Sequence, residues 1–134
     1  MNKGTNKITI NDLIDLEKAG FSAKELYFDP FFNIFNISLK EMKEAGFSAK
    51  DFKKAGLDLN TLKLGRVLKL FSARDLKEAG YSAEPMKRIR GFSAKDLKEA
   101  GFSAKVLRDE CDFTATDLIN AGFEAKDIPP PPSL

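Results

Sequence analysis

The stretch GFSAKDLKEAGFSAKVL, Gly91 to Leu107, spells ten residues and then begins to spell them again. Aligned on its serine, the pattern opens units at Ser22, Ser38, Ser48, Ser72, Ser82, Ser93 and Ser103, with Thr114 at the equivalent place of a further one. Asp58 opens a degenerate unit (LDLNTLKLG), Glu124 a truncated one (EAKDI) and Thr9 a longer first one (TINDLIDLEKAG). The spacing is ten residues where it is clean and eleven between Ser82 and Ser93 and between Ser103 and Thr114. A repeat over nearly the whole chain constrains the fold more than composition does. Each copy must take the same local structure, and the copies must bury their apolar faces on one another.

One unit, Ser93 to Phe102, carries both ends of a helix. Ser93 is an N-cap, and Asp96 three residues on completes a box of the Ser-x-x-Asp type. Ala94, Leu97, Lys98, Glu99 and Ala100 are good helix formers, and Gly101 supplies the left-handed residue that closes a helix. Phe92 before the cap and Leu97 form a hydrophobic staple, and Phe102 stands where a closing motif wants an apolar contact. The same pairs recur as Thr9 with Asp12, Ser38 with Glu41, Ser48 with Asp51, Ser72 with Asp75 and Thr114 with Asp117. Glycines 20, 46, 56, 80, 101 and 122 take the closing position. The pattern predicts helices of about seven residues, each about 10 Å long. Helices that short do not stand alone in water. Ala94, Leu97 and Ala100 cover an arc of about 120° that a neighbouring unit must bury, leaving Lys95, Lys98 and Glu99 outward. The expected fold is an all-α solenoid of about ten or eleven short, two-turn capped helices.

Phe92, Leu97, Phe102 and Leu107 are also five residues apart, which resembles the pentapeptide-repeat family, a right-handed β-solenoid. That alternative turns Lys24, Lys40, Lys50, Arg74, Lys95 and Lys105 inward, at several kcal/mol each for an unpaired buried cation. It also gives the capping pairs no role, so the helical reading is favoured. The pattern LKEAGFSAKD resembles the tandem decapeptide-repeat proteins of bacteria, large viruses and protists. That resemblance implies a repeat scaffold and carries no site residues with it.

Chemistry has little to work with. The chain has no histidine to act as a base, and its one cysteine, Cys111, stands among acids in RDECDF, which disfavours a thiolate. Asp96 and Glu99 recur as capping and surface charges, and the glycines are spaced for helix ends rather than for a phosphate loop. No enzyme activity, cofactor, metal or small-molecule substrate is expected. The 22 basic and 20 acidic residues nearly balance. No apolar run reaches a membrane span, and the start MNKGTNK lacks a signal core. These features predict a soluble intracellular, cytoplasmic protein.

Three features depart from the repeat. Residues 27–37, YFDPFFNIFNI, interrupt it, and Pro30 blocks continuation of a regular helix. Phe28, Phe31, Phe32 and Phe35 there are candidates either for an apolar plug or for a partner-docking patch. Lys63, Arg66, Lys69 and Arg74, with Lys87, Arg88 and Arg90, are a candidate basic patch. With helices that resemble SAP-like DNA-binding modules, they make nucleic-acid binding the alternative function. Residues 129–134 form a proline-rich tail suited to a polyproline II terminator or ligand. The sequence thus reads as a repeat domain over residues 1–128 plus that tail. Its expected role is non-enzymatic, with other proteins as partners, within a larger assembly.

Overall fold

Most helices predicted by the repeat begin at a side-chain cap, Ser82 and Glu124 being the exceptions. Seven capping boxes close in both directions. At Ser93 the Asp96 amide donates to the serine Oγ at 3.1 Å, and the Ser93 amide donates to the Asp96 carboxylate at 3.0 Å. The computed structural model describes residues 7–130. The chain divides into two compact units, Met1–Leu70 and Phe71–Leu134.

The N-terminal unit holds α1 (Ile10–Lys18), α2 (Ala23–Phe28), α3 (Pro30–Asn33), α4 (Leu39–Glu44), α5 (Ala49–Lys54) and α6 (Leu59–Leu64), then a 3-10 turn, Leu68–Leu70. The C-terminal unit holds α7 (Ala73–Ala79), α8 (Ala83–Pro85), α9 (Ala94–Ala100), α10 (Ala104–Asp109) and α11 (Ala115–Ala121). A π-helical turn, Met86–Arg90, continues α8, and a 3-10 turn spans Ala125–Asp127. No strand occurs among the described residues. The protein is therefore all-α, and the β-solenoid alternative falls. The first six residues and residues 131–134, which carry MNKGTN and the end of the proline tail, lie outside the described residues.

The closing glycines behave as their position requires. Gly101 has φ +111°; its amide donates to the Lys98 carbonyl, and the Phe102 amide reaches back to Leu97 at 3.1 Å. This 6→1 bond is the Schellman closure. Within the unit, Leu97 is fully buried, and Ala94, Ala100 and Phe92 are buried with it.

Stacking follows a two-unit rhythm. α7 packs on α9 and α9 on α11, while α8 packs on α10. In the N-terminal unit α1 packs on α4 and α2 on α5, the same skip of one repeat once the extra helix α3 is set aside. Consecutive helices also touch, as α9 does α10, but the partner in register is the unit after next. The side chains show the same rhythm. The Lys77 ammonium lies 5.5 Å from the Phe102 ring centroid, and Lys98 lies 5.5 Å from Phe123. Lys98, expected outward, is thus half-buried, its stem and ammonium lying against Gly122 and the Phe123 ring of the next unit but one.

The two eleven-residue units absorb their extra residue differently. Between Ser82 and Ser93 it enters as the π-helical turn, the usual form of a one-residue helical insertion. Pro85 stands at the third helical position there, so no amide meets Ser82, which makes no side-chain cap. Between Ser103 and Thr114 the extra residue sits after the helix. The Phe113 amide reaches back six residues to Leu107, Asp112 takes φ +58°, and Cys111 is buried.

Candidate interaction surface

The interruption is more helical than its composition suggests. α2 continues through Tyr27 and Phe28, so the break begins at Asp29 rather than at residue 27. Asp29 then caps α3, accepting the Phe31 amide at 2.8 Å, and Pro30 occupies the first helical position, where its missing N–H has no cost. A four-residue helix spaces its side chains around all sides, so its aromatics divide. Phe32 turns inward, is buried, and meets the Phe21 ring edge-on at 5.7 Å. Phe31 stays 69% exposed, Ile34 59% and Phe28 53%. Phe35 is half-buried, 6.4 Å from Phe32 and 6.5 Å from Phe31. The four phenylalanines therefore divide: Phe32 is buried, Phe35 is half-buried, and Phe28 and Phe31 face water.

Beside them runs a shallow groove between α1 and α3, with Ile8, Leu16, Phe31 and Phe35 in its apolar lining. Asp12 and Asp15 stand at its edge, with Lys7 the one cation. Asp12 lies below the ordinary aspartate pKa, because its carboxylate accepts the Thr9 backbone amide and then the Thr9 hydroxyl.

The seven basic residues do not gather on one unit. Lys63, Arg66 and Lys69 are exposed on the N-terminal unit, where no ion pair among the described residues engages them. The other four lie in the C-terminal unit and are held internally. Arg74 donates to the Glu99 carbonyl at 2.7 Å. Lys87 donates to the Cys111 carbonyl and lies 4.4 Å from the Phe113 ring centroid. Arg88 pairs with Glu84 at 2.9 Å, and Arg90 stacks over Phe92 at 4.8 Å. Cys111 is buried, and that burial raises its pKa above that of a free thiol.

Sequence reasoning passed over four exposed apolar residues, Ile34, Leu64 (84% exposed), Leu70 (48%) and, in the C-terminal unit, Ile119 (51%). A signal for one of them existed. Six residues after the cap the repeats carry an outward polar residue: Glu44, Lys54, Glu78, Arg88, Glu99, Asp109 and Asn120. Phe28 and Leu64 occupy that same outward place.

Residues 70–129 match the family described as the decapeptide repeat region, a span that nearly coincides with the C-terminal unit. The chain resembles decapeptide-repeat proteins. No curated protein and no solved structure matches it. Among the described residues no group of three or more metal-ligating side chains occurs, and no helix is long and apolar enough to cross a membrane.

Proposed function

We propose that the protein is a non-enzymatic repeat scaffold that binds other proteins within a larger assembly. One observation carries the reading. Phe28, Phe31 and Ile34 stand more than half exposed on neighbouring short helices, in a fold whose other described aromatics are buried or half-buried. Clustered exposed apolar side chains mark interaction sites, and aromatic anchors dominate interface energetics. The mixed charge supports a protein partner over nucleic acid, and the tethering of Arg74, Lys87, Arg88 and Arg90 supports it further. A buried, unpaired thiol suits a reducing compartment inside the cell.

The test is affinity purification from the source cell with wild type, Phe31→Ser and Ile34→Ser, with circular dichroism as the folding control. The expected result is a partner set that persists in high salt for wild type and is lost from both folded variants. Identical partners for all three chains would sink the reading. So would recovery only of nucleic acid with a steep salt dependence.

A further inference from the structure

We infer that the N-terminal unit docks head-to-tail with a second copy of this chain, the α1–α3 groove of one copy receiving the Leu64–Leu70 strip of the next. This rests on the scaffold reading above and names one partner for it.

The two surfaces are complementary in both hydrophobicity and charge. The groove offers apolar Ile8, Leu16, Phe31 and Phe35 together with Asp12 and Asp15, two acids against the single cation Lys7 in its lining. The strip offers Leu64 and Leu70, both exposed, between Lys63, Arg66 and Lys69. Residues 62–70 contain those three cations and no acid. Leu64 projects because α6 is held by its inward leucines, Leu59 and Leu62, which leave the outward place of the repeat to an apolar side chain.

Topology sets the surfaces apart. α1 packs on α4, and Gly65, at the end of α6, presses so close to Leu39 of α4 that an added Cβ would lie 2.6 Å from Leu39 Cδ1. The series α1, α4, α6 therefore has the groove beside its first member and the strip on its last. The groove draws on Ile8, Asp12 and Leu16, a different face of α1 from fully buried Leu13. Each copy then carries one donor surface and one acceptor surface of unlike shape. Such a contact is heterologous, and it grows into rings or open chains rather than stopping at a symmetric pair. The cations also shield an otherwise greasy strip from nonspecific association, as charges on an exposed edge do.

Sedimentation velocity on the full chain tests this across a concentration series. Wild type is expected to grow beyond dimer as concentration rises. Two double variants each remove one surface: Phe31→Ser with Phe35→Ser, both of which line the groove, and Leu64→Ser with Leu70→Ser. Each is expected to sediment as a monomer, and an equimolar mixture as dimers only, since one intact groove then meets one intact strip. Asp15→Lys and Lys69→Glu are each expected to weaken association about tenfold at low salt, and mixing those two chains to recover most of it. Wild type that stays monomeric throughout the series overturns the proposal. So does a groove variant that still grows, or a mixture that forms no dimer. The scaffold reading fails separately: a monomeric wild type that loses its cellular partners on Phe31→Ser keeps the scaffold role and discards only self-docking.

Discussion

The two units are built from one repeat and use it differently. In the C-terminal unit the outward place of each helix is polar, and Lys77, Lys87 and Lys98 each lie across an aromatic ring of a later repeat. In the N-terminal unit the outward place turns apolar at Phe28 and Leu64. A short extra helix interrupts the series, and the left-handed residue at the close of α6 is Arg66, as Asp112 takes that place after α10 in the other unit. The regular unit spends its side chains on cohesion and shows water a mainly polar face, with Ile119 its one large apolar residue more than half exposed among the described residues. The irregular one keeps the same buried leucines while altering what faces outward. Local departures from a consistent pattern are where function is usually lodged. The family match over residues 70–129 fits this contrast, because it falls on the regular copies.

If the grammar is shared, deleting equivalent anchors should cost both units alike. Leu62 in the N-terminal unit and Leu97 in the C-terminal unit occupy the same repeat position, and both are fully buried. Leu62→Ala and Leu97→Ala are each expected to lose about 2–5 kcal/mol, read from urea unfolding. A cost under 1 kcal/mol for Leu62→Ala alone would show that the N-terminal unit is loosely packed, and the common core would have to be given up.

The close of α6 sharpens the difference. Gly65 has φ −79°, so conformation does not demand glycine there; the proximity of Leu39 does. Arg66, one residue on, takes φ +61°, where most repeats of both units place glycine, as at Gly46, Gly56, Gly80 and Gly101. Gly65→Ala is expected to destabilise by about 1–3 kcal/mol through overpacking against Leu39. Arg66→Gly is expected to stabilise by about 0.5–1 kcal/mol by relieving a left-handed residue that has a Cβ. Gly101→Ala in the C-terminal unit, at φ +111°, should move the other way by about 1–2 kcal/mol. A neutral Gly65→Ala would mean that α6 and α4 can separate freely.

These residues show what was legible in the sequence. Caps and closures are local, so Ser93 with Asp96 and Gly101 with Phe102 disclosed helix starts and stops directly. The skip-one stacking was not legible, because identical repeats offer identical arcs and nothing in a single copy says which neighbour takes it. Lys98 was assigned to water for the same reason: its partner, Phe123, lies 25 residues away. At the candidate surface, four phenylalanines in one short segment disclosed a special place. Their division into buried Phe32 and exposed Phe31 depended on α3 forming behind Asp29 and Pro30. Leu64 was legible as an apolar residue at an outward position, but only once the repeat was read column by column.

Acid should weaken both units through the same device. Asp12 and Asp58 in the N-terminal unit and Asp117 in the C-terminal unit all have depressed pKa values, chiefly because each accepts a backbone amide at its cap. The unfolded chain holds these carboxyls near the ordinary aspartate value of about 3.9. The native state binds fewer protons there, so the caps' contribution is complete above that value and is lost as pH falls through it toward the lower native values. The urea midpoint is expected to hold from pH 7 to about 5 and then to drop, with Asp117→Asn flattening the drop. A midpoint that stays level down to pH 3 would remove the charged cap as a shared support.

The smallest effect asks whether the lysine contacts are cohesive or incidental. Lys98 sits 5.5 Å from the Phe123 ring centroid, and its stem carbons Cε and Cδ lie 3.6 and 3.8 Å from where a Cβ on Gly122 would be. A cation over a partly exposed ring contributes about 0.5–1 kcal/mol, and stem packing is kept if the chain length is kept. Lys98→Met removes the charge and retains most of the stem, so it is expected to lose only the first part, about 0.5 kcal/mol. Lys98→Ala removes both and should lose more. Phe123→Leu in the Lys98→Met background separates them: if the ring matters only as apolar bulk, the two changes add, and if the cation–ring contact is real, the pair costs less than the sum. Strict additivity would reduce Lys77, Lys87 and Lys98 to solvated charges. The cohesion of the C-terminal unit would then rest on its buried leucines and alanines alone, as in the N-terminal unit.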